Sequence, residues 1–171
     1  MPYTVNVNGN LCSLDVPAHR TLLQALRDEL GLMGSREACG VGMCGSCTVL
    51  MDGKAVSSCL LLIPQAVGKR VITVEGLAEN NQLHPVQQAF LDHHAFQCSF
   101  CTPGFIMTTI ALLNEKPHPS EAEIREHLAG NLCRCGSYPE ILAAVHSLIE
   151  IGQPRKTIAT EGEDNVSPWR F

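Results

Sequence analysis

The chain has 171 residues, of which 45% are hydrophobic, 17% charged and nine cysteine, with a formal net charge of −5. That length suits one ordinary domain or two small ones. The acidic balance argues against a nucleic-acid partner, and 5% aromatic residues leave little for base-stacking platforms. The apolar run Leu60 to Ile63 is far too short for a membrane span. Met1 to Val5 carry no basic segment leading into an apolar run, so the expected location is the cytoplasm. In a reducing compartment nine cysteines read as metal ligands or catalytic thiols rather than disulfides.

In chain order, Tyr3 to Val7 alternate apolar and polar residues, Asn8-Gly9 follows, and a second stretch ends at Leu14-Asp15-Val16, predicting a β-hairpin. Thr21 is placed to cap a helix carrying Leu22, Leu23, Leu26 and Leu30, stopped by Gly31. Gly34 to Gly45 is too glycine-rich for regular structure. Thr48 to Met51 and Ala55-Val56 flank Asp52-Gly53, a second hairpin, and Val71 to Val74 reads as the last strand. From about His84 onward only helices are expected, at 85–94, 103–113, 121–129 and 139–151. Ser120 with Glu123 forms a capping box, and Pro85, Pro103 and Pro139 suit first-turn positions. The expectation is an α+β chain: a small β-rich domain, residues 1–77, then a four-helix domain, 78–152, then a tail, 153–171. Met107, Ile110, Leu142 and Val145 are expected in the helical core.

The cysteines divide along the same boundary. Cys39-x4-Cys44-x2-Cys47 followed by Cys59 has the plant-type [2Fe–2S] spacing. Such a cluster needs two thiolates on each iron, and the Asp52-Gly53 hairpin can return Cys59 to the loop. Four thiolates and two sulfides against two ferric irons leave about −2, which close backbone N–H groups must stabilise. Gly40, Gly42 and Gly45 allow that close wrapping through positive φ, and Arg36, Ser35 and Ser46 are further candidate donors. The same glycines match G-x-G-x-x-G, but the dinucleotide fingerprint requires a strand before and a helix after, and neither is expected here. Four cysteines also suit zinc, although zinc usually takes two separated C-x2–4-C knuckles.

Cys98-x2-Cys101 and Cys133-x-Cys135 each lie just before a predicted helix, whose unpaired N–H groups and partial positive charge favour an anionic centre. Taken alone this second set is open between an iron–sulfur cluster, zinc and a redox-active dithiol. Cys12 is left over and is expected to be a small buried apolar residue. The seven histidines form no H-x-x-x-H or H-E-x-x-H pattern, and none is interleaved with the cysteines as a Rieske centre would need. His93-His94 is expected at a helix end in a capping or solvated role.

Residues 39–49 (CGVGMCGSCTV), 97–104 (QCSFCTPG) and 130–135 (GNLCRC) together resemble the small, two-cluster iron–sulfur subunit of the molybdenum hydroxylases, the xanthine oxidase family. The resemblance spans roughly residues 3–151. It implies a plant-type ferredoxin-like β-grasp domain followed by a helical cluster-binding domain. It further implies two [2Fe–2S] clusters, one on Cys39, Cys44, Cys47 and Cys59, the other on Cys98, Cys101, Cys133 and Cys135. Gln97 and Cys135 would lie near a molybdenum–pterin cofactor carried by a partner large subunit, where the substrate is hydroxylated. Electrons would pass onward to FAD on a medium subunit or to another acceptor, within a hetero-oligomeric oxidoreductase. This sequence departs from the family pattern at Ser99-Phe100, in place of a more usual Gly-Tyr, and at Gly136-Ser137, in place of Thr-Gly. The alternatives are a stand-alone two-cluster ferredoxin and a zinc-stabilised interaction module. Counting each oxidised cluster at about −2 would take the net charge from −5 to about −9.

Overall fold

The structure, a computed structural model, describes residues 2–150. The expected tail, 153–171, and the end of the last predicted helix at Ile151 lie outside the described residues. The first half is a five-stranded mixed sheet. Strands β1 (Tyr3–Val7) and β2 (Asn10–Leu14) pair around Asn8-Gly9, both at positive φ (52° and 83°), as a two-residue hairpin turn of this hand requires. Strands β3 (Thr48–Met51) and β4 (Lys54–Ser57) repeat the device at Asp52-Gly53. Strand β5 (Arg70–Ile72) then joins the hairpins, parallel to β1 and antiparallel to β3, in the order β2-β1-β5-β3-β4.

The predicted last strand ends early, because the backbone at Thr73 turns to a side chain. Thr73 N–H donates to Asn8 Oδ1 (2.9 Å) and Asn8 Nδ2 donates back to Thr73 Oγ1 (3.0 Å). The chain then closes a 3₁₀ turn over Val74–Gly76. The helix expected after Thr21 is α1 (Leu22–Gln24), running on as a π-helical stretch, Ala25–Glu29. Thr21 Oγ1 accepts from Gln24 N and Gln24 Oε1 from Thr21 N, a capping box not foreseen there. A short helix α2 (Ile63–Ala66) was also not foreseen; Pro64 and the Gln65 side chain, which accepts from Leu62 N (2.8 Å), were its signals.

Helices α3 (Pro85–Asp92), α4 (Thr102–Glu115), α5 (Glu121–Leu128) and α6 (Tyr138–Glu150) form the second half. Helix α3 stops short of His93-His94, where His94 takes a positive φ of 49° and Ala95 N–H reaches back to Phe90 O. Helix α4 is buried along residues 104–113 and packs on α3, α5 and β3, which makes it the centre of the molecule. Strand β3 is therefore covered on both faces. Val49 faces a core of Val5, Val7, Leu22, Leu26 and Val71, while Leu50 joins the helical core with Phe105, Met107, Ile110 and Val145. That two-sided burial is why Val49 to Met51 reads as a continuous apolar run. Leu142 packs at the margin of the helical core, and Cys12 is only partly buried. Among the described residues no helix is long and apolar enough to cross a membrane.

The capping box of α5 is complete. Glu123 N–H meets Ser120 Oγ at 3.4 Å, Ser120 N donates to Glu123 Oε2 at 2.8 Å, and Lys116 Nζ donates to Glu123 Oε1 at 2.6 Å. Lys116, then Ser120, pull the Glu123 carboxyl down to about 2 from its ordinary 4.5. A depressed carboxylate stabilises the fold fully above its unfolded value and loses that contribution as pH falls from about 4.5 through about 2. Ser120→Ala is expected to cost about 1 kcal/mol in chemical denaturation. Glu123→Gln is expected to flatten the acid limb of the stability curve in that window.

Two candidate metal centres

The loop from Gly34 to Cys47 is pinned at its start, where Gly34 N donates to Glu75 Oε1 (2.7 Å), and at its end, where Arg36 N donates to Ser46 O (3.0 Å). Between these points Gly40, Gly42 and Gly45 all take positive φ (66°, 75° and 68°), as expected. The result is a nest of N–H groups around thiols. Val41 N and Met43 N donate to Cys39 Sγ at 3.5 and 3.3 Å, and with help from the Cys44 thiol they hold the Cys39 thiol down at about 6. Gly42 N–H reaches Cys59 Sγ. Cys59 nevertheless sits high, at about 11, because burial dominates and the Cys47 thiol adds to it.

The second set behaves in the same way. Phe100 N–H, then the Cys135 thiol, lower Cys98. Burial, then the Cys133 thiol, push Cys101 up to about 12. For Cys133 burial acts upward, but the N–H of Ser137, the Cys101 thiol and the N–H groups of Cys135 and Gly136 together outweigh it.

The eight thiols are thus gathered as pairs: Cys39 with Cys44, Cys47 with Cys59, Cys98 with Cys135, and Cys101 with Cys133. In the second set each pair takes one cysteine from each segment. Each set also has an outer and an inner pair. Cys98 and Cys135 are exposed and Cys39 and Cys44 half-buried, whereas Cys47, Cys59 and Cys133 are buried and Cys101 half-buried. Two-and-two pairing suits a binuclear centre, where each metal takes two thiolates. A single tetrahedral zinc needs four ligands around one point.

The surroundings fit an anionic sulfur centre. The hydroxyls of Ser35, Thr102 and Ser137, next to the cysteine segments, are buried without a hydrogen-bond partner. Free hydroxyl donors and convergent N–H groups are what buried sulfur requires. Gln97 and Cys135 are brought together, with Gln97 Nε2 donating to Cys135 O at 3.3 Å. Arg36 lies over the Phe100 ring, 5.2 Å from its centroid, and so bridges the two cysteine loops.

What joins the centres leaves no local trace in the sequence. Leu132 N donates to Cys44 O at 3.0 Å, so Cys44 is one hydrogen bond from the residue before Cys133. Asn131, buried at 4% exposure, donates from Nδ2 to Gly45 O (3.2 Å) and accepts from Thr108 Oγ1 (2.9 Å). Asn131 lies inside the 130–135 motif, but nothing local marks a side chain aimed at a loop 86 residues away.

Ser99 is a departure that the backbone registers. It sits at φ 63°, a left-handed conformation that disfavours a Cβ. Ser99→Gly is expected to stabilise the chain by about 0.5–1 kcal/mol, read as a raised denaturation midpoint.

The family description "2Fe-2S iron-sulfur cluster binding domain" matches residues 5–73, and "[2Fe-2S] binding domain" matches residues 73–146. The iron–sulfur-binding subunit of an aldehyde oxidoreductase from Escherichia coli O157:H7 is 42% identical over 160 residues, covering 85% of this chain and 70% of that one. A nicotinate dehydrogenase subunit from Pseudomonas putida is 45% identical over 147 residues, covering 86% of this chain and 94% of its own. Among solved structures, quinoline 2-oxidoreductase from Pseudomonas putida 86 superposes with a TM-score of 0.83 at 42% identity, over 88% of this chain and 94% of that one.

Proposed function

Because the chain belongs to the iron–sulfur subunits of the molybdenum hydroxylase family, we propose that it is the electron-transfer subunit of a molybdenum-dependent oxidoreductase complex. The supporting observation is the pair of four-thiol sets, each with an inner and an outer pair. Cys39, Cys44, Cys47 and Cys59 hold one [2Fe–2S] cluster; Cys98, Cys101, Cys133 and Cys135 hold the other. When bound, each cluster supplies a one-electron carrier.

The chain's own residues do the rest. The N–H groups of Val41, Gly42, Met43 and Phe100 stabilise thiolate charge. The inner pairs keep water away, while the exposed pair Cys98/Cys135, flanked by Gln97, is presented to the molybdenum–pterin of a partner large subunit. Met43 (71% exposed), Val41 and Leu60 form an apolar rim beside the first set, facing FAD on a medium subunit or another acceptor. The substrate site lies on the partner. The cluster domains divide as residues 1–77 and 78–152.

The test is purification of the native complex. The expected result is about four irons per chain, a broad visible absorption and a co-purifying large chain that contains molybdenum. A colourless zinc protein would overturn the cluster assignment. A coloured monomer without such a partner would overturn the subunit role in favour of a stand-alone ferredoxin.

A further inference from the structure

Ser137 immediately precedes α6, and its carbonyl accepts from Ile141 N at 3.0 Å, so it occupies the N-cap position. A serine there ordinarily accepts a hydrogen bond from the first turn of the helix through its hydroxyl. Ser137 does not. Its residue is 1% exposed, and its Oγ is buried with no hydrogen-bond partner. A buried hydroxyl left unpaired is costly, so an unmet partner is implied. Its backbone N–H already serves Cys133 Sγ, and Cys135 is two residues away. Tyr138, the next residue, closes the same turn by accepting Cys133 N–H at 2.9 Å. The turn that wraps the second set therefore carries one spare buried donor, on a residue whose backbone already serves Cys133.

We propose that the Ser137 hydroxyl donates a hydrogen bond to a sulfur of the second [2Fe–2S] centre and raises its reduction potential relative to a chain without that hydroxyl. The inference rests on the cluster assignment above. One-electron reduction takes the centre from a net charge of about −2 to about −3, thiolates included. A donor stabilises the more negative form more, so its loss makes the electron harder to add.

The test uses the purified complex carrying Ser137→Ala, Ser137→Gly or Ser137→Thr, titrated with a chemical reductant while the two cluster signals are followed by electron paramagnetic resonance. With both clusters present, the Ala and Gly variants are expected to shift the second cluster's one-electron equilibrium threefold to tenfold toward the oxidised form, tenfold being about 59 mV. The first cluster should not move, Thr should restore the parental value, and the exchangeable-deuteron coupling on the second signal should lose the hydroxyl's component in Ala and Gly only, while the backbone N–H components remain. Thermal melting should be unchanged, because no cap is lost. Unchanged potential and coupling in the Ala and Gly variants would overturn the proposal, as would a destabilised α6 with no shift in potential. Loss of the second cluster in Ala and Gly but not Thr supports a need for the hydroxyl; loss in Thr as well shows a packing role and overturns it. An iron-free parental protein overturns the cluster assignment instead.

Discussion

Gly104→Ala is expected to destabilise the chain by about 3 kcal/mol or more, although alanine in a helix interior ordinarily stabilises by about 1 kcal/mol over glycine. Gly104 lies in the first turn of α4, where the helix touches the loop of the first cysteine set. A Cβ there would stand 2.1 Å from Gly45 O and 3.2 Å from Asn131 Nδ2. The obstacle is a backbone carbonyl, which cannot rotate aside. That carbonyl also accepts from Asn131 Nδ2 (3.2 Å), Thr48 N (3.2 Å) and Thr48 Oγ1 (2.7 Å), so relief by moving the loop loosens three hydrogen bonds at once. For a chain of this size the melting temperature should fall by about 6–12 °C. A melting temperature at or above the parental value would show that the junction between the two halves is not as tight as the geometry states.

Cys44→Ser and Cys133→Ser should each remove one cluster signal and leave the other. Serine retains the shape of cysteine but does not readily give the anion a soft metal centre needs. Cys44 belongs to the outer pair of the first set and Cys133 to the inner pair of the second. The bond between the sets runs through the Cys44 carbonyl, not its side chain, so the substitution leaves it in place. Iron should fall from about four to about two per chain in each variant, with visible and paramagnetic spectra losing different components. If either substitution erases both signals in a chain that stays folded, the division into two independent sites is wrong.

Local chemistry made much of the fold readable. Asn8-Gly9 and Asp52-Gly53 marked both hairpins because only residues tolerant of positive φ close a two-residue turn of that hand. Ser120 and Glu123 marked the start of α5 because their hydrogen bonds span three residues. Misreadings arose where a distant group intervened. Val74 looked like strand, but Asn8 captures Thr73, 65 residues away, and ends the ladder. Leu60 to Ile63 looked like a plain apolar run, yet Ile63 begins a helical turn whose entry is stabilised by Gln65.

For the sites, residue type and spacing alone named eight candidate thiols, because sulfur ligation demands cysteine and closely spaced ligands leave a regular trace. Spacing did not say which thiols pair. That depends on how the segment at Cys98 folds against the segment at Cys133, and the outer-and-inner arrangement emerges only when α4 packs on β3 and α6 on α3. The joint between the sets, from Gly45 and Gly104 to Asn131 and Leu132, is likewise tertiary. Ligand identity is a local, short-range property of the chain. The approach of one loop to another is fixed by contacts between residues tens of positions apart, where the missing Cβ of Gly104 and the buried Asn131 side chain act together.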